Sequence, residues 1–196
     1  MKTNLLVYIA SLALLSSSHG SALECKTPTG SDLEDHLLYI NAFYQELLHR
    51  AARGGSYQGH SLGPGGQMYA LKRNKTLYEM AEKEIKKRFL NPREYGLFRF
   101  DGEYEGRDSP VDGLVKLLKS NKAVKQQMIY PKATQYACTL LVFRNDSSNA
   151  CQQKVLCILD KVAPAKYEME GTACNQNSDC TYIRPAVCLS PLCYTY

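Results

Sequence analysis

Cysteine is the residue type in this chain whose number and spacing say most about its chemistry. The sequence of 196 residues contains eight cysteines, at Cys25, Cys138, Cys151, Cys157, Cys174, Cys180, Cys188 and Cys193. An even number of cysteines in a secreted chain is typical of disulfides, and we predict four bonds. Eight cysteines allow about 105 pairings, so the sequence leaves the connectivity open. An oxidising compartment also disfavours zinc at the tail cysteines.

The histidines offer little for catalysis or for metal binding. After the N-terminal leader only His36, His49 and His60 remain. His36 and His49 fall on different faces of a predicted helix, and His60 lies in a glycine-rich loop. The chain has no His-Glu-x-x-His or Cys-x-x-Cys motif and no visible Ser-His-Asp set, although such a set is recognised by its geometry. We interpret all three histidines as surface or helix-end residues. We therefore predict a protein that is not an enzyme and has no catalytic residue, metal or cofactor.

Features of the first residues and two sequons indicate the secretory route. Residues 1–22 combine Lys2, an apolar run over 5–15 and a small-residue end, which predicts a signal peptide. The apolar run is shorter than the roughly 20 residues of a membrane span. Asn74 and Asn145 head Asn-x-Thr and Asn-x-Ser sequons and are predicted glycosylation sites. We therefore expect a secreted, extracellular protein with no membrane span.

The net charge excludes one class of partner. The formal charge is +5, and removal of the leader with its Lys2 lowers it by one unit. A surplus this mild, without a long Lys/Arg run, does not indicate nucleic-acid binding.

Two predicted strands and three predicted helices must position these residues. Residues 134–143 and 152–159 are rich in β-branched, aromatic and aliphatic residues, and the polar stretch between them predicts a hairpin. Capping boxes at 31–34 and 76–79 predict two helix starts, and Ser109 with Pro110 predicts a third.

Residues 54–66 are expected to form a linker, and 95–107 a loop with one short strand. The turn around Arg107 and Asp108 lacks the glycine of an Arg-Gly-Asp sequence.

We expect a domain over residues 23–163 and a separate tail over 164–196. The dipeptide Ala163-Pro164 marks the boundary, and the tail contains four cysteines but few aliphatic residues. A segment of this composition is too poor in apolar side chains for its own core and depends on disulfides.

Several stretches carry a resemblance to one family. Residues 65–71, followed by Leu77, Tyr78 and Ala81, are similar to the family's Met-x-x-x-x-Tyr-Asp-Cys-x-Leu-Glu-x-x-Ala helix, and residues 127–134 resemble its Gln-Met-Ala-Trp-x-Lys-Thr motif. Cys138 and Cys157 fall where it has its cysteine-bearing strands, and residues 167–174 with 179–181 are similar to its tail. The chain resembles the CAP (SCP/TAPS) superfamily, in particular the activation-associated secreted or venom-allergen-like proteins of parasitic nematodes. This implies an α+β fold, a CAP-type α-β-α sandwich with a disulfide-stapled, cysteine-rich tail.

Departures from the family pattern are equally informative. The family often has a cleft in which two histidines and two acidic residues bind zinc. Here Val124 stands at one histidine position, and Ile40-Asn41 replaces the His-Asn of the first helix. The Gly-Glu-Asn motif has no clear counterpart. The resemblance therefore implies a member without the metal residues.

Two functions remain open after these observations. The resemblance implies a non-enzymatic protein that binds host cell-surface receptors, integrins included, since some hookworm members block platelet or leukocyte adhesion. Exposed tyrosines make good contact residues, and several tyrosines fall in predicted loops or the tail. These are Tyr57, Tyr95, Tyr104, Tyr182, Tyr194 and Tyr196. The alternative is that half or more of the tyrosines are core or partly buried residues. The alternative to receptor binding is a lipid or sterol carrier whose apolar cleft is lined by residues 95–104.

Overall fold

The computed structural model describes residues 25–87, 95–147 and 150–196. The described chain contains α1 (Gly30–Ala52), α2 (Lys75–Glu84), α3 (Ser109–Ser120), α4 (Lys122–Met128) and a short 3-10 helix, Asn177–Asp179. Its strands are β1 (Ser56–Tyr57), β2 (His60–Ser61), β3 (Lys72–Arg73), β4 (Gly96–Glu103), β5 (Gln135–Arg144), β6 (Cys151–Leu159), β7 (Ala186–Leu189) and β8 (Leu192–Thr195). None of the helices in these ranges combines the length and apolar character that a membrane crossing requires.

The predicted hairpin forms the centre of a four-stranded sheet. Its strand order is β3-β5-β6-β4, in which β3 runs parallel to β5 and the other neighbours are antiparallel. Cys138 and Cys157 are directly opposite on β5 and β6 and form a disulfide.

Alternation along the two central strands divides the apolar residues between two layers. Cys138 and Val155 face a large core shared with α1, α3 and part of α4. Ala137 and Leu156, their neighbours in sequence, face the opposite side, where they pack with Leu77 of α2. Side chains that alternate in this way bury both faces of a sheet. The sheet is thus enclosed between helical layers, which confirms the α+β sandwich.

Residues 96–103 form a full strand where we expected a loop with one short strand. β4 pairs with β6 along its whole length, from Gly96 opposite Leu159 to Glu103 opposite Gln152. Phe98 is buried in the main core, and Phe100 fills the space above Gly113 of α3. The glycines of β4 conceal the strand in the sequence because glycine has a low strand propensity. Here a pairing partner about 50 to 60 residues later determines the strand.

The predicted helix caps are shifted, although the helices themselves are confirmed. α1 begins before Ser31, and its N-cap Thr29 makes no side-chain cap bond. α2 is capped by Asn74, whose Oδ1 accepts from the amide of Leu77 at 3.0 Å. Ser109 lies inside α3, where its hydroxyl donates to the Glu103 carbonyl instead. The short helix α4 was not predicted, and Asn121 caps it by accepting from the Val124 amide.

Two small hairpins complete the described fold. β1 and β2 form a tight hairpin inside the stretch expected to be a linker, with Gln58 and Gly59 at positive φ. β7 and β8 form a hairpin in the tail.

Four disulfides confirm the predicted number of bonds and settle their connectivity. They join Cys25 to Cys151, Cys138 to Cys157, Cys174 to Cys188, and Cys180 to Cys193. Three of the tail cysteines pack around the buried Tyr69. The tail is also bonded to the domain through its backbone, since Cys193 donates to Met68 and accepts from Ala70, each at 2.9 Å.

Candidate functional site

Ile40, Asn41 and Val124 are the residues that the family resemblance aligns with expected metal ligands. Ile40 is fully buried in the main core, and Val124 packs against the same core while half-buried. Asn41 accepts a 2.7 Å hydrogen bond from the hydroxyl of Tyr136. Two of these three side chains are aliphatic and have no atom that could coordinate a cation, and the third is engaged with a tyrosine.

The described residues contain a single group of three close metal-ligand atoms. It consists of Cys174, Cys180 and Cys193, whose sulfurs lie within 4.8 Å of one another. All three sulfurs are committed to disulfides, so they do not offer the thiolates that a metal needs. The expectation of a protein without catalytic residues, metal or cofactor stays a prediction.

His36 is buried, which corrects its interpretation as a surface residue. It is 7% exposed on the inner side of α1. Its Nδ1 donates to the Asp32 carbonyl at 2.7 Å, and its Nε2 lies 3.1 Å from the hydroxyl of Tyr104. A carbonyl only accepts, so Nδ1 carries a proton and the ring joins α1 to the segment after β4. His36 is thus a structural residue.

The other two histidines are more accessible. His49 is half-buried near the end of α1, and burial, followed by the charge of Arg53, lowers the pKa of its ring. His60 is exposed on β2. The three histidines do not come together with acidic residues among the described side chains.

Gln127, in the motif that resembles the family's Gln-Met segment, has a structural role. Its Nε2 donates to the Lys161 carbonyl at 2.9 Å, and its Oε1 accepts from the Ala163 amide at 2.8 Å. A Cβ at Gly96 would lie 2.0 Å from the Gln127 amide nitrogen, so only glycine leaves room for this side chain. Gln127 therefore binds α4 to the end of β6 and to β4.

A cleft of about 370 Å³ opens between α1, the start of α2 and β5. Its floor is apolar, with Leu37, Ile40 and Cys138, while its rim includes an ion pair of Glu34 with Arg73 at 3.1 Å. Apolar floors with a few polar rim groups are typical of small-ligand sites, and the volume is at the lower end of that class.

The outer face of α1 presents an apolar and aromatic surface. Leu38 is 54% exposed and Tyr39 is 42% exposed. Arg107, from the turn before α3, stacks over Tyr39 with its guanidinium carbon 4.6 Å from the ring centroid. The same guanidinium forms an ion pair with Asp35 at 2.8 Å. We call these four residues the α1 face.

The predicted contact tyrosines are mostly packed against other residues. Tyr57 meets Phe43 edge-on with ring centroids 5.3 Å apart, and Tyr104 contacts His36. Of the six, only Tyr196, at 84%, is exposed. The structure therefore agrees with the alternative that most of these tyrosines are partly buried rather than forming an exposed set. The sequence pointed to the wrong residues, and the signal for the α1 face was the pair Leu38-Tyr39 on the polar side of an amphipathic helix.

Three aromatic residues of the stretch 95–104 pack against the rest of the fold. Phe98 is buried in the core, Phe100 packs on α3, and Tyr104 bonds to His36. The aromatic residues of β4 thus form neither a groove nor a convex patch.

The two sequons lie at a helix start and in a turn. Asn74 caps α2 and also donates to Gln135 at 2.6 Å, while Asn145 accepts from the Ser147 amide beyond the end of β5. Glycosylation at Asn74 and Asn145 stays a prediction.

Comparison with known proteins identifies the family. No family model matches the chain, and no curated protein sequence does. Among solved structures, manganese-bound Ac-ASP-7, an Ancylostoma secreted protein, is 31% identical with a TM-score of 0.68, over 86% of this chain and 95% of that one. The chain belongs to the CAP superfamily of nematode venom-allergen-like proteins.

Two further CAP structures share the fold at lower identity. Na-ASP-1 is 16% identical with a TM-score of 0.63, over 86% of this chain and 48% of that one. The hookworm platelet inhibitor is 17% identical with a TM-score of 0.53, over 89% and 96%. The relatives are secreted nematode proteins, and the four disulfides of this CAP chain are likewise those of an extracellular protein.

Proposed function

We propose that this CAP protein is a non-enzymatic ligand of a host cell-surface protein, and that the α1 face is its contact surface. The observation that carries the proposal is the exposed pair Leu38-Tyr39 with Arg107 fixed above the tyrosine ring. Tyrosine and arginine are, together with tryptophan, the residues enriched at interface hot spots. An exposed leucine beside them adds apolar area that becomes buried on binding.

The α1 face is rigid as well as apolar. The ion pair with Asp35 and the stacking on Tyr39 hold the Arg107 side chain from two directions. Side chains that are ordered before binding lose less conformational entropy in the complex. The expected partner surface has an apolar pocket for the leucine and tyrosine, bordered by acidic groups that meet the edge of the guanidinium.

Related proteins support the same type of activity. One structure with this fold is named a platelet inhibitor, and inhibition of a host cell favours a protein receptor as the partner class. Integrins are the receptors to test first. The manganese in the name of Ac-ASP-7 belongs to that protein. Ile40 and Val124 have no atoms that could coordinate a metal, so receptor binding is expected to be unchanged when zinc is added or removed.

The test uses two double variants with the same changes in residue type. Leu38→Ser with Tyr39→Ser removes the α1 face, while Leu189→Ser with Tyr196→Ser removes a leucine and a tyrosine that are exposed in the tail. The purified, disulfide-intact protein is screened against a panel of host cell-surface receptors, integrins included. We expect at least about a tenfold loss of affinity for the first variant and less than about twofold for the second.

Two results would contradict the proposal. One is a panel without any saturable binding, and the other is an equal loss in both double variants.

The cleft floored by Leu37 and Ile40 favours lipid or sterol binding as the second candidate function. Titration with a fluorescent sterol and a fluorescent fatty acid tests it, and Tyr78→Ala, at the half-buried edge of the cleft, should weaken such binding while leaving the α1 face intact.

A further inference from the structure

We infer that the lysines of α3 and α4 form a second binding site, for a linear sulfated polysaccharide of the cell surface or extracellular matrix. Lys116, Lys119, Lys122 and Lys125 recur at every third position. We call them the lysine ridge. The segment 109–134 contains five lysines and a single acidic residue, Asp112. Its surplus of four positive charges is nearly as large as the +5 of the whole chain.

Contacts place the four lysines on one continuous surface. Lys119 donates to the Gln58 side chain at 3.1 Å, and Lys125 donates to the Ser61 carbonyl at 3.2 Å. Both acceptors belong to or adjoin the tight β1–β2 hairpin, so the two amino groups converge there.

The remaining two lysines adjoin this pair. Lys122 and Lys125 border the same cavity, of about 410 Å³, beside the hairpin. Lys116 precedes Lys119 by one helical turn, and residues three apart on a helix are surface neighbours.

The backbone beneath the ridge is well fixed. Asn121 ends α3, with its amide bonded to the Leu117 carbonyl, and it also caps α4 through its side chain. Leu114 and Leu118 bury the opposite face of α3, which leaves Lys116 and Lys119 exposed. A polyanion would therefore meet a row of charges that is already arranged.

The charges of the ridge are available to a ligand. None of the ion pairs among the described side chains involves any of the four lysines. Acidic groups in this region are Asp112, one turn before Lys116, and Glu168, which borders the cavity shared by Lys122 and Lys125. Four lysines against two carboxylates leave a net positive surface, which attracts anions over about a Debye length.

The surroundings favour a hydrophilic polyanion over a membrane. Peripheral membrane binding needs exposed apolar side chains beside the basic ones. The large apolar residues that are exposed in the described chain lie elsewhere, and none belongs to α3 or α4. They are Leu38, Tyr39, Phe143, Val162, Leu189 and Tyr196. A sulfated sugar chain needs only repeated cations along a line, and the ridge supplies them.

The experiment compares two variants of equal charge. In the ridge variant, Lys116, Lys119, Lys122 and Lys125 are all changed to Gln; in the control, Lys26, Lys83, Lys86 and Lys161 are changed to Gln at exposed positions outside the ridge. Binding of a size-defined heparin oligosaccharide to the full secreted protein is measured at two salt concentrations. We expect the ridge variant to lose affinity at least about tenfold and the control less than about threefold, with weaker binding of the wild type at higher salt.

A second measurement does not depend on variants. Acetylation of lysines in the wild type, with and without the heparin oligosaccharide, should show protection at the ridge and none at Lys26 or Lys83. Equal loss in both variants, or protection spread over all lysines, would overturn the proposal. So would phosphatidylserine vesicles that bind the protein while heparin neither binds nor competes, which would indicate a membrane surface instead. Receptor binding through the α1 face uses other residues, so either proposal can fail without the other.

Discussion

Gln127 and Gln126 are identical neighbours on α4 with opposite surroundings. Gln127 is buried and bonded to the backbone of Lys161 and Ala163, whereas the Gln126 side chain borders an open cavity. Removing one partner of a buried hydrogen bond leaves the other without compensation. We expect Gln127→Ala to lower the free energy of unfolding by about 2 kcal/mol and Gln126→Ala by less than about 0.5 kcal/mol, measured by urea denaturation. Equal effects would show that the motif glutamine does not join α4 to β6.

Tyr136 should make the fold sensitive to alkaline pH. Burial raises the pKa of its phenol from about 10 to about 12. Below pH 10 the phenol is protonated in both states and its contribution is complete; above pH 10 the unfolded state ionises first, and the contribution is lost as the pH rises through 12. We expect the free energy of unfolding to fall by up to about 1.4 kcal/mol for each pH unit in this window from this residue alone.

Two phenylalanine variants test this contribution. Tyr136→Phe removes the hydrogen bond to Asn41, which should cost about 1 kcal/mol at neutral pH, and it should also flatten the decline above pH 10. Tyr196→Phe changes an exposed tyrosine and should leave the decline unaltered. Guanidinium unfolding at pH 8 and pH 11 measures both. A decline of the same steepness in Tyr136→Phe would mean that other groups cause it.

At the residue scale, the residue types alone were enough to predict some properties of the candidate site. Val124 and Ile40 have no ligand atoms wherever they are placed, so the prediction that they do not coordinate a metal rests on residue type alone. The burial of His36 could not be predicted, because its partner Tyr104 lies 68 residues further along the chain. The α1 face depends in the same way on Arg107, which reaches Tyr39 only in the folded structure.

The contact of β4 with α3 gives a prediction at the scale of elements. Ala is usually better than Gly inside a helix by about 0.5–1 kcal/mol. At Gly113 a Cβ would lie 2.2 Å from the Phe100 ring, so the alanine must displace β4 or the ring. We expect Gly113→Ala to destabilise the protein by about 1–2 kcal/mol despite its helix propensity.

A double-mutant cycle checks this steric explanation. Phe100→Leu shortens the opposing side chain, so the added methyl of Gly113→Ala should cost less in that background, and the two changes should couple by at least about 0.5 kcal/mol. Ser120→Ala, at the exposed end of the same helix, is the control for helix propensity. Additive effects in the cycle would show that the glycine is required for some other reason.

The elements that could be predicted are those with a strong local pattern. α1 has apolar residues at helical spacing over 23 residues, and β5 and β6 have continuous apolar runs around a polar turn. β3, β7 and β8 are two to four residues long and exist through their partners, so no local signal marks them. β4 is an intermediate case, since its apolar alternation is present but is interrupted by glycine.

At the scale of the whole molecule, the disulfide pairing was the least predictable feature. Cys25 bonds to Cys151 across a separation of 126 residues, and the two tail bonds interlock, since Cys174–Cys188 and Cys180–Cys193 overlap in sequence. Neither arrangement follows from spacing, because each is set by where β6 and the tail hairpin lie in space. The even number of cysteines and their secretory context were sufficient only for the number of bonds.

The long-range disulfide Cys25–Cys151 and the tail disulfide Cys174–Cys188 should contribute different amounts to the free energy of unfolding. A bond that closes a longer loop removes more entropy from the unfolded chain, so Cys25–Cys151 is expected to contribute about 5 kcal/mol and Cys174–Cys188, with a separation of 14, about 3 kcal/mol. The paired variants Cys25→Ser with Cys151→Ser and Cys174→Ser with Cys188→Ser test this by denaturation. Cys174 and Cys188 both belong to the tail, so the second variant should keep the domain folded while its tail becomes sensitive to limited proteolysis. The backbone bonds of Cys193 to Met68 and Ala70 should still hold the end of the tail on the domain. A larger loss of stability from the tail pair would mean that the tail stabilises the sandwich more than the long-range bond does.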